Sequence, residues 1–383
     1  MSGSKKPKKL WRRLIGVLFS IVSLAVLAYV SISLITERTI EMSWLTNLFT
    51  PRTQVEAVDE FSFYVGRDRV FADLGGSFAS AGTLGIKVLD YSGHESLSDS
   101  FRMTRPAIVS ANGRAVAFDI GGTAVRVFNN NQILSSFEVS GAIVSASINQ
   151  NGWFTVSTQE GGGLRGVTTV FNSQGAGVFR VNLGGGYILS SVLSADNRSL
   201  AVLNLTETGS RITLYHGLNQ VEPNNEFVLP GELIIDMRFL PNGDLLAIST
   251  NMLIIIDVNG VSSAKFEFFA SRLGGYIFED GFTILHLLDY GVGHTGRLLR
   301  LDEGGDIIAE YPTEREIASM SFGGGFLAVL RGDGVMFYDS NFEEFPSDGD
   351  RASLSGVSRV LAFGNGKALA TGEHAAIVFR LDF

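Results

Sequence analysis

The chain has 383 residues, no cysteine and a formal net charge of −9, which excludes disulfides, thiolate metal sites and cysteine nucleophiles. Its 45 glycines exceed the ~7% of an ordinary chain, while 8 prolines and a 45% hydrophobic content exclude a disordered polymer. Six cations (Lys5, Lys6, Lys8, Lys9, Arg12, Arg13) lie in the first thirteen residues; removing them from −9 leaves −15, and so acidic a remainder repels phosphate backbones, so no nucleic-acid partner is expected.

Residues 1–13 read as a basic cytoplasmic tail. Residues 14–35 carry no charge. As a helix they would span roughly 33 Å, enough for a hydrocarbon core of about 30 Å. The apolar run is longer than a signal-peptide core and its best cleavage site is a poor Ser31-Ile32-Ser33, so a retained transmembrane helix is predicted, with everything after it extracellular. Residues 36–59 read as a stalk, with Ile40, Trp44, Leu45, Leu48 and Phe49 on one helical face.

From there the chain repeats. Turn dipeptides recur at Asn112-Gly113, Asn151-Gly152, Asp196-Asn197, Asn242-Gly243, Asp280-Gly281, Gly324-Gly325 and Asn365-Gly366, at steps of 38 to 46 residues. About twenty residues after such a turn an apolar strand ends in Asp or Asn, as at Val88-Leu89-Asp90, Val170-Phe171-Asn172 and Ile255-Ile256-Asp257; weaker copies end at Asp302, Asp339 and Asp382. Four short strands per unit of ~40 residues describe an all-β, eight-bladed β-propeller over residues 60–383, with seven blades as the alternative. The last unit is one strand short. A strand over residues 60–65 is expected to complete it, closing the ring with strands from both ends of the repeat region.

The apolar-apolar-Asp-x-x-Gly strand ends resemble those of quinoprotein-type and YVTN-type propeller repeats. The layout as a whole resembles a family of signal-anchored propeller proteins of unknown function from Gram-positive bacteria. The resemblance implies fold and topology rather than chemistry. Quinoproteins carry a tryptophan in most repeats, whereas Trp153 alone falls in this propeller, so no quinone or other cofactor is expected.

Chemistry-bearing motifs reduce to turns. Gly291–Gly296 matches G-x-G-x-x-G, but an alternating strand follows it where a dinucleotide site needs a helix. Arg331-Gly332-Asp333 sits between two strands. His94, His216, His286, His294 and His374 show no zinc-ligand spacing, and Asp302–Asp306 and Asp348–Asp350 lack the spaced ligands of a calcium loop. No metal site and no catalytic residue is expected.

A stalk that feeds an outermost strand emerges on the face carrying the short Asn-Gly turns. The opposite face then looks outward, with loops 159–166, 206–210, 289–296, 346–356 and 372–375. Its candidate binding residues are Glu160, Arg165, Glu207, Tyr290, His294, Glu373 and His374. The expected activity is a non-enzymatic, membrane-anchored binding or scaffolding module for an envelope protein or wall polymer. The alternatives are a glycan-active or quinoprotein-like enzyme, and a ligand sensor acting through a partner.

Overall fold

The computed structural model describes residues 54–161, 163–219, 222–291, 294–345, 356–372 and 375–382. The basic tail, the apolar segment 14–35 and the stalk up to residue 53 lie outside them. Among the described residues no helix is long and apolar enough to cross a membrane.

The described chain is all β, in eight antiparallel sheets. Blades 1 to 6 take residues 70–100, 106–138, 142–183, 187–230, 234–267 and 271–313, each with four strands in sequence order from the first, at the axis, to the fourth, at the rim. Blade 7 has three described strands between residues 317 and 339. A single isolated antiparallel bridge joins Glu344 to Tyr338 on its outer side. Blade 8 takes its first three strands from residues 357–382 and its outer strand from Gln54–Ser62. The eight-blade count therefore holds over the seven-blade alternative.

The closing strand starts earlier than the sequence suggests. Gln54–Ser62 pairs antiparallel with Ala375–Asp382, with a bulge between Ala57 and Asp59. The charges of Glu56, Asp59 and Glu60 give these residues the look of a linker. At a rim edge charges are tolerated, and Val55 is buried beneath them. Residues 54–59, expected as part of the stalk, are thus strand, and residues 63–65 belong to the crossover that follows it.

Eight apolar clusters fill the eight gaps between neighbouring blades. The second and third strands, buried on both faces, supply most of these side chains, as in Phe154–Gln159 with its pattern of five buried residues. First strands are small where they converge, as at Ser145-Ala146-Ser147 and Ser190-Ser191.

The Asp/Asn strand ends have a double use. In six blades the Asp or Asn closing the third strand accepts two backbone N–H groups with its own Oδ1: Asp90 from Ser92 and His94, Asn129 from Asn131 and Gln132, Asn172 from Gln174 and Ala176, Asp257 from Asn259 and Val261, Asp302 from Gly304 and Asp306, Asp339 from Asn341 and Glu343. In four of them the carbonyl of the next residue then accepts a bond from the preceding blade. Ser96 Oγ reaches Asn130 O (2.6 Å), Arg114 Nη1 reaches Ser173 O (3.1 Å), His216 Nε2 reaches Val258 O (3.1 Å) and Arg300 Nη1 reaches Ser340 O (3.1 Å). One turn motif thus both ends a strand and latches two blades, each latch contributing about 1 kcal/mol, more where Arg donates.

Candidate binding faces

Strand order divides the loops between two faces. First-to-second and third-to-fourth turns emerge on one, here face A. Second-to-third turns and blade-to-blade crossovers emerge on the other, face B. The outer strand Gln54–Ser62 runs from face A to face B.

Two concavities open on face A, and several of their polar groups are already engaged. The first, about 690 Å³, lies between blades 4 and 5 beside His216, Asn225, Asn242 and Val258. His216 Nε2 donates to the Val258 carbonyl, so Nδ1 accepts from Ser199 Oγ at 2.9 Å, while Asn225 Nδ2 also donates to Val258 O at 3.2 Å. This serine–histidine pair is thereby part of a blade latch.

The second, about 540 Å³, is the axial funnel, lined at the ends of first strands by Asp73, Arg238, Glu279 and Asp280 among apolar rings of Phe71, Phe278 and Phe322. Burial raises the carboxyl pKa of both Asp73 and Glu279. Arg238 binds the Phe278 carbonyl at 2.8 Å and pairs with Asp280. Deeper along the axis, burial raises Asp236, against the bonds it accepts from Met237 N and the Tyr276 hydroxyl (3.0 Å). Among the described residues no group of three His, Cys, Asp or Glu side chains could hold a metal ion.

Face B carries Glu160, Arg165, Glu207, Tyr290 and His294, while Glu373 and His374 lie outside the described residues. They share the face but form no single cluster. Glu160 is held by Arg180 (3.0 Å) and by Ser140 Oγ (2.7 Å). Arg165 Nη1 donates to the Tyr187 hydroxyl of blade 4 at 3.0 Å, its guanidinium lying 5.3 Å from that ring's centre. Glu207 is exposed in the blade 4 hairpin. His294 faces Glu316 at 3.7 Å. The Arg331-Gly332-Asp333 turn is tied down, its aspartate pairing with Arg315 and, at 3.5 Å, Arg331. The G-x-G-x-x-G match falls in a hairpin connection closed by Asp289 N to Thr295 O.

Face B is also where large apolar side chains meet solvent. Tyr64, Leu84, Tyr187, Leu233, Ile235, Phe269 and Tyr290 stand there, against Val258 and Val261 on face A, while Val58, Val178, Val228, Ile307 and Ile308 are exposed on the outer strands at the rim. Phe269 is 83% exposed, more than any other large apolar side chain among the described residues, and it stands at φ +48°. It is hidden in the sequence because its neighbours Phe266 and Phe268 make the stretch look like core. Strict alternation beyond Phe268 would have turned residue 269 outward.

A family profile described as "Family of unknown function (DUF5711)" matches residues 53–345. No curated protein sequence matches the chain. Among solved structures, the C-terminal WD40 domain of Sif2 aligns over 86% of this chain and 97% of its own, at 14% identity and a TM-score of 0.58. BamB from Moraxella catarrhalis aligns over 85% and 99%, at 15% identity and a TM-score of 0.53. The quinohemoprotein alcohol dehydrogenase ADHIIG from Pseudomonas putida HK5 aligns over 85% and 76%, at 11% identity and a TM-score of 0.53. At such identities the likeness is one of fold alone.

Proposed function

This chain belongs to a family of unknown function, DUF5711, and we propose that it is a membrane-tethered, non-enzymatic binding or scaffolding module that engages an envelope partner through face B. The observation that carries this reading is that, among the described residues and away from the outer rim strands, exposed large apolar side chains stand mostly on face B, seven against two on face A. Contiguous exposed apolar surface marks interaction sites, and blades latched by side-chain bonds give a platform that does not need to deform on binding.

The tether is the uncharged segment 14–35 behind six cations, which supports a cytoplasmic N-terminus and an extracellular propeller of the Gram-positive signal-anchored type. The chain enters its first described strand from face A, so face B is the face we orient outward.

The test is photo-crosslinking of the full chain in its native membrane, with the crosslinker placed at Arg165 or Glu207 on face B and at Asn242 on face A. One stoichiometric adduct from the face B positions alone is expected. Adducts from Asn242 alone, or turnover of a wall fragment by the purified full chain, would overturn the reading.

A further inference from the structure

Phe269 combines two unfavourable features. A phenylalanine at positive φ crowds its own backbone, a conformation bulky residues rarely adopt. Its ring also lies in solvent and belongs to no apolar cluster among the described residues. Among the described residues no apolar cluster takes in the ring to offset either cost. Strain held in place by its surroundings is a feature of recognition sites.

The surroundings hold it firmly. Phe268 is buried, and its N–H donates to Asn251 O at 2.8 Å. Asn251 Nδ2 donates to the Glu232 carboxylate (3.1 Å), which also accepts from Ser249 Oγ (2.9 Å). Tyr290 N donates to Ala270 O at 3.3 Å. This chain of bonds joins the crossover into blade 5, the crossover out of it and the blade 6 hairpin. Leu233 and Ile235 (each 42% exposed), Phe269 and Tyr290 (67% exposed) are thereby carried on one bonded frame.

Charges about the blade 6 hairpin and the following crossover are mainly negative. Asp289 and Glu314 are exposed and form no ion pair among the described residues, whereas Arg315 is held by Asp333. Arg272 is the exposed cation nearby in sequence.

Resting on the reading of face B as the binding face, we propose that Phe269 and Tyr290 are the anchor of a protein-docking site, and that its partner is a protein offering Phe269 an apolar pocket flanked by Lys or Arg. Rigid aromatic anchors ringed by polar groups dominate protein interfaces. The aliphatic Leu233 and Ile235 favour a protein over a sugar polymer, since a polyol has little apolar surface to bury against them. The acidic charge complements a basic partner and speeds encounter.

The experiment is panning of a random peptide display library on the detergent-solubilised full chain, with the selected peptides then measured on variants. The expected peptides carry aromatic or aliphatic residues beside Lys or Arg. They should lose about tenfold or more in affinity on Phe269→Ser or Tyr290→Ser, and nothing on Val258→Ser of face A. Peptides that depend on Arg165 or Glu207 but not on Phe269 would leave face B as the binding face and overturn this anchor. Dependence on Val258 or Asn242 would overturn both. Failure to select any peptide overturns the protein partner, and binding of a soluble wall oligosaccharide lost on Phe269→Ser would assign the patch to glycan instead. Phe269→Gly adds a readout that a structural role would not give: melting temperature should rise as the backbone strain is relieved, while peptide binding falls. A fall in melting temperature would mark Phe269 as structural and contradict the proposal.

Discussion

The two faces of this ring solve different problems. Face A is built from Asp/Asn turns whose side chains accept their own backbone N–H groups and whose carbonyls receive the neighbouring blade. Polar atoms there are consumed in holding the ring together. Face B has ion pairs such as Glu160–Arg180 and Arg315–Asp333, yet it leaves aromatic and aliphatic side chains in solvent, among them Phe269 at positive φ, whereas Phe342, at positive φ in a face A turn, is buried. The difference teaches that a concavity is not by itself a site. Two cavities open on face A, where much of the hydrogen-bonding capacity is spent internally, whereas more exposed apolar side chains stand on face B than on face A.

The comparison breaks if face A can be weakened without weakening the ring. Asn149 is buried and donates to Ser194 O (2.8 Å) and Asn197 Oδ1 (2.6 Å) of blade 4 while accepting from Asn151 N and Trp153 N. Asn149→Ala should cost about 2–4 kcal/mol by leaving those groups unpaired, read by urea unfolding, and should leave the affinity of face B for its peptides unchanged in the folded fraction.

Acidification should act on the blade beneath the face B patch. His286 is buried in blade 6 with Nε2 unpaired, and burial, assisted by Arg272, lowers its pKa from 6.5 to about 4. The unfolded chain therefore takes a proton on this residue below pH 6.5 that the folded one refuses until about pH 4. Stability is present above 6.5 and falls through that window, by about 3 kcal/mol once both states are protonated. Asp73, Asp236 and Glu279, whose raised pKa values favour the protonated folded form, oppose the trend. The clean reading is the difference between the parent chain and His286→Leu, followed by unfolding from pH 7 to 4. Parallel curves would refute the burial account.

A single latch gives a smaller effect. Arg300→Met removes the bond to Ser340 O and a cation 4.3 Å from the Phe282 ring, with an expected loss of about 1–2 kcal/mol in thermal unfolding. Smallest and opposite in sign is Phe269→Gly, expected to stabilise by about 0.5–1 kcal/mol. Relief of the left-handed strain outweighs the extra entropy glycine gives the unfolded chain. If Arg300→Met were neutral and Phe269→Gly destabilising, the roles assigned to the two faces would be reversed.

Period and turn chemistry make the ring legible in the sequence. Asp90, Asn172 and Asp257 end third strands where their sequence context puts them, and the short last unit implies a closing strand from the other end. The start of that strand is not legible, because Glu56, Asp59 and Glu60 hide a single buried Val55. The latches are also out of reach. Their donors are as different as Ser96, Arg114, His216 and Arg300, and their acceptor is a backbone carbonyl, which has no letter of its own. The face shared by Arg165, Glu207 and Tyr290 follows from topology, but reading loops for charge favours Glu160 and His294, which are paired. Phe269 escapes such a reading because the sign of φ is not written in an apolar stretch.

The central claim is that face B, not face A, meets the partner. The natural absence of cysteine allows a direct test with single substitutions Arg165→Cys and Asn242→Cys, both at exposed positions, in the full chain on intact cells, labelled with a membrane-impermeant maleimide. Faster labelling at position 165 than at 242, with the label at 165 protected when the partner is present, is the expected result. Faster labelling at 242, or protection at 242 alone, would contradict the account.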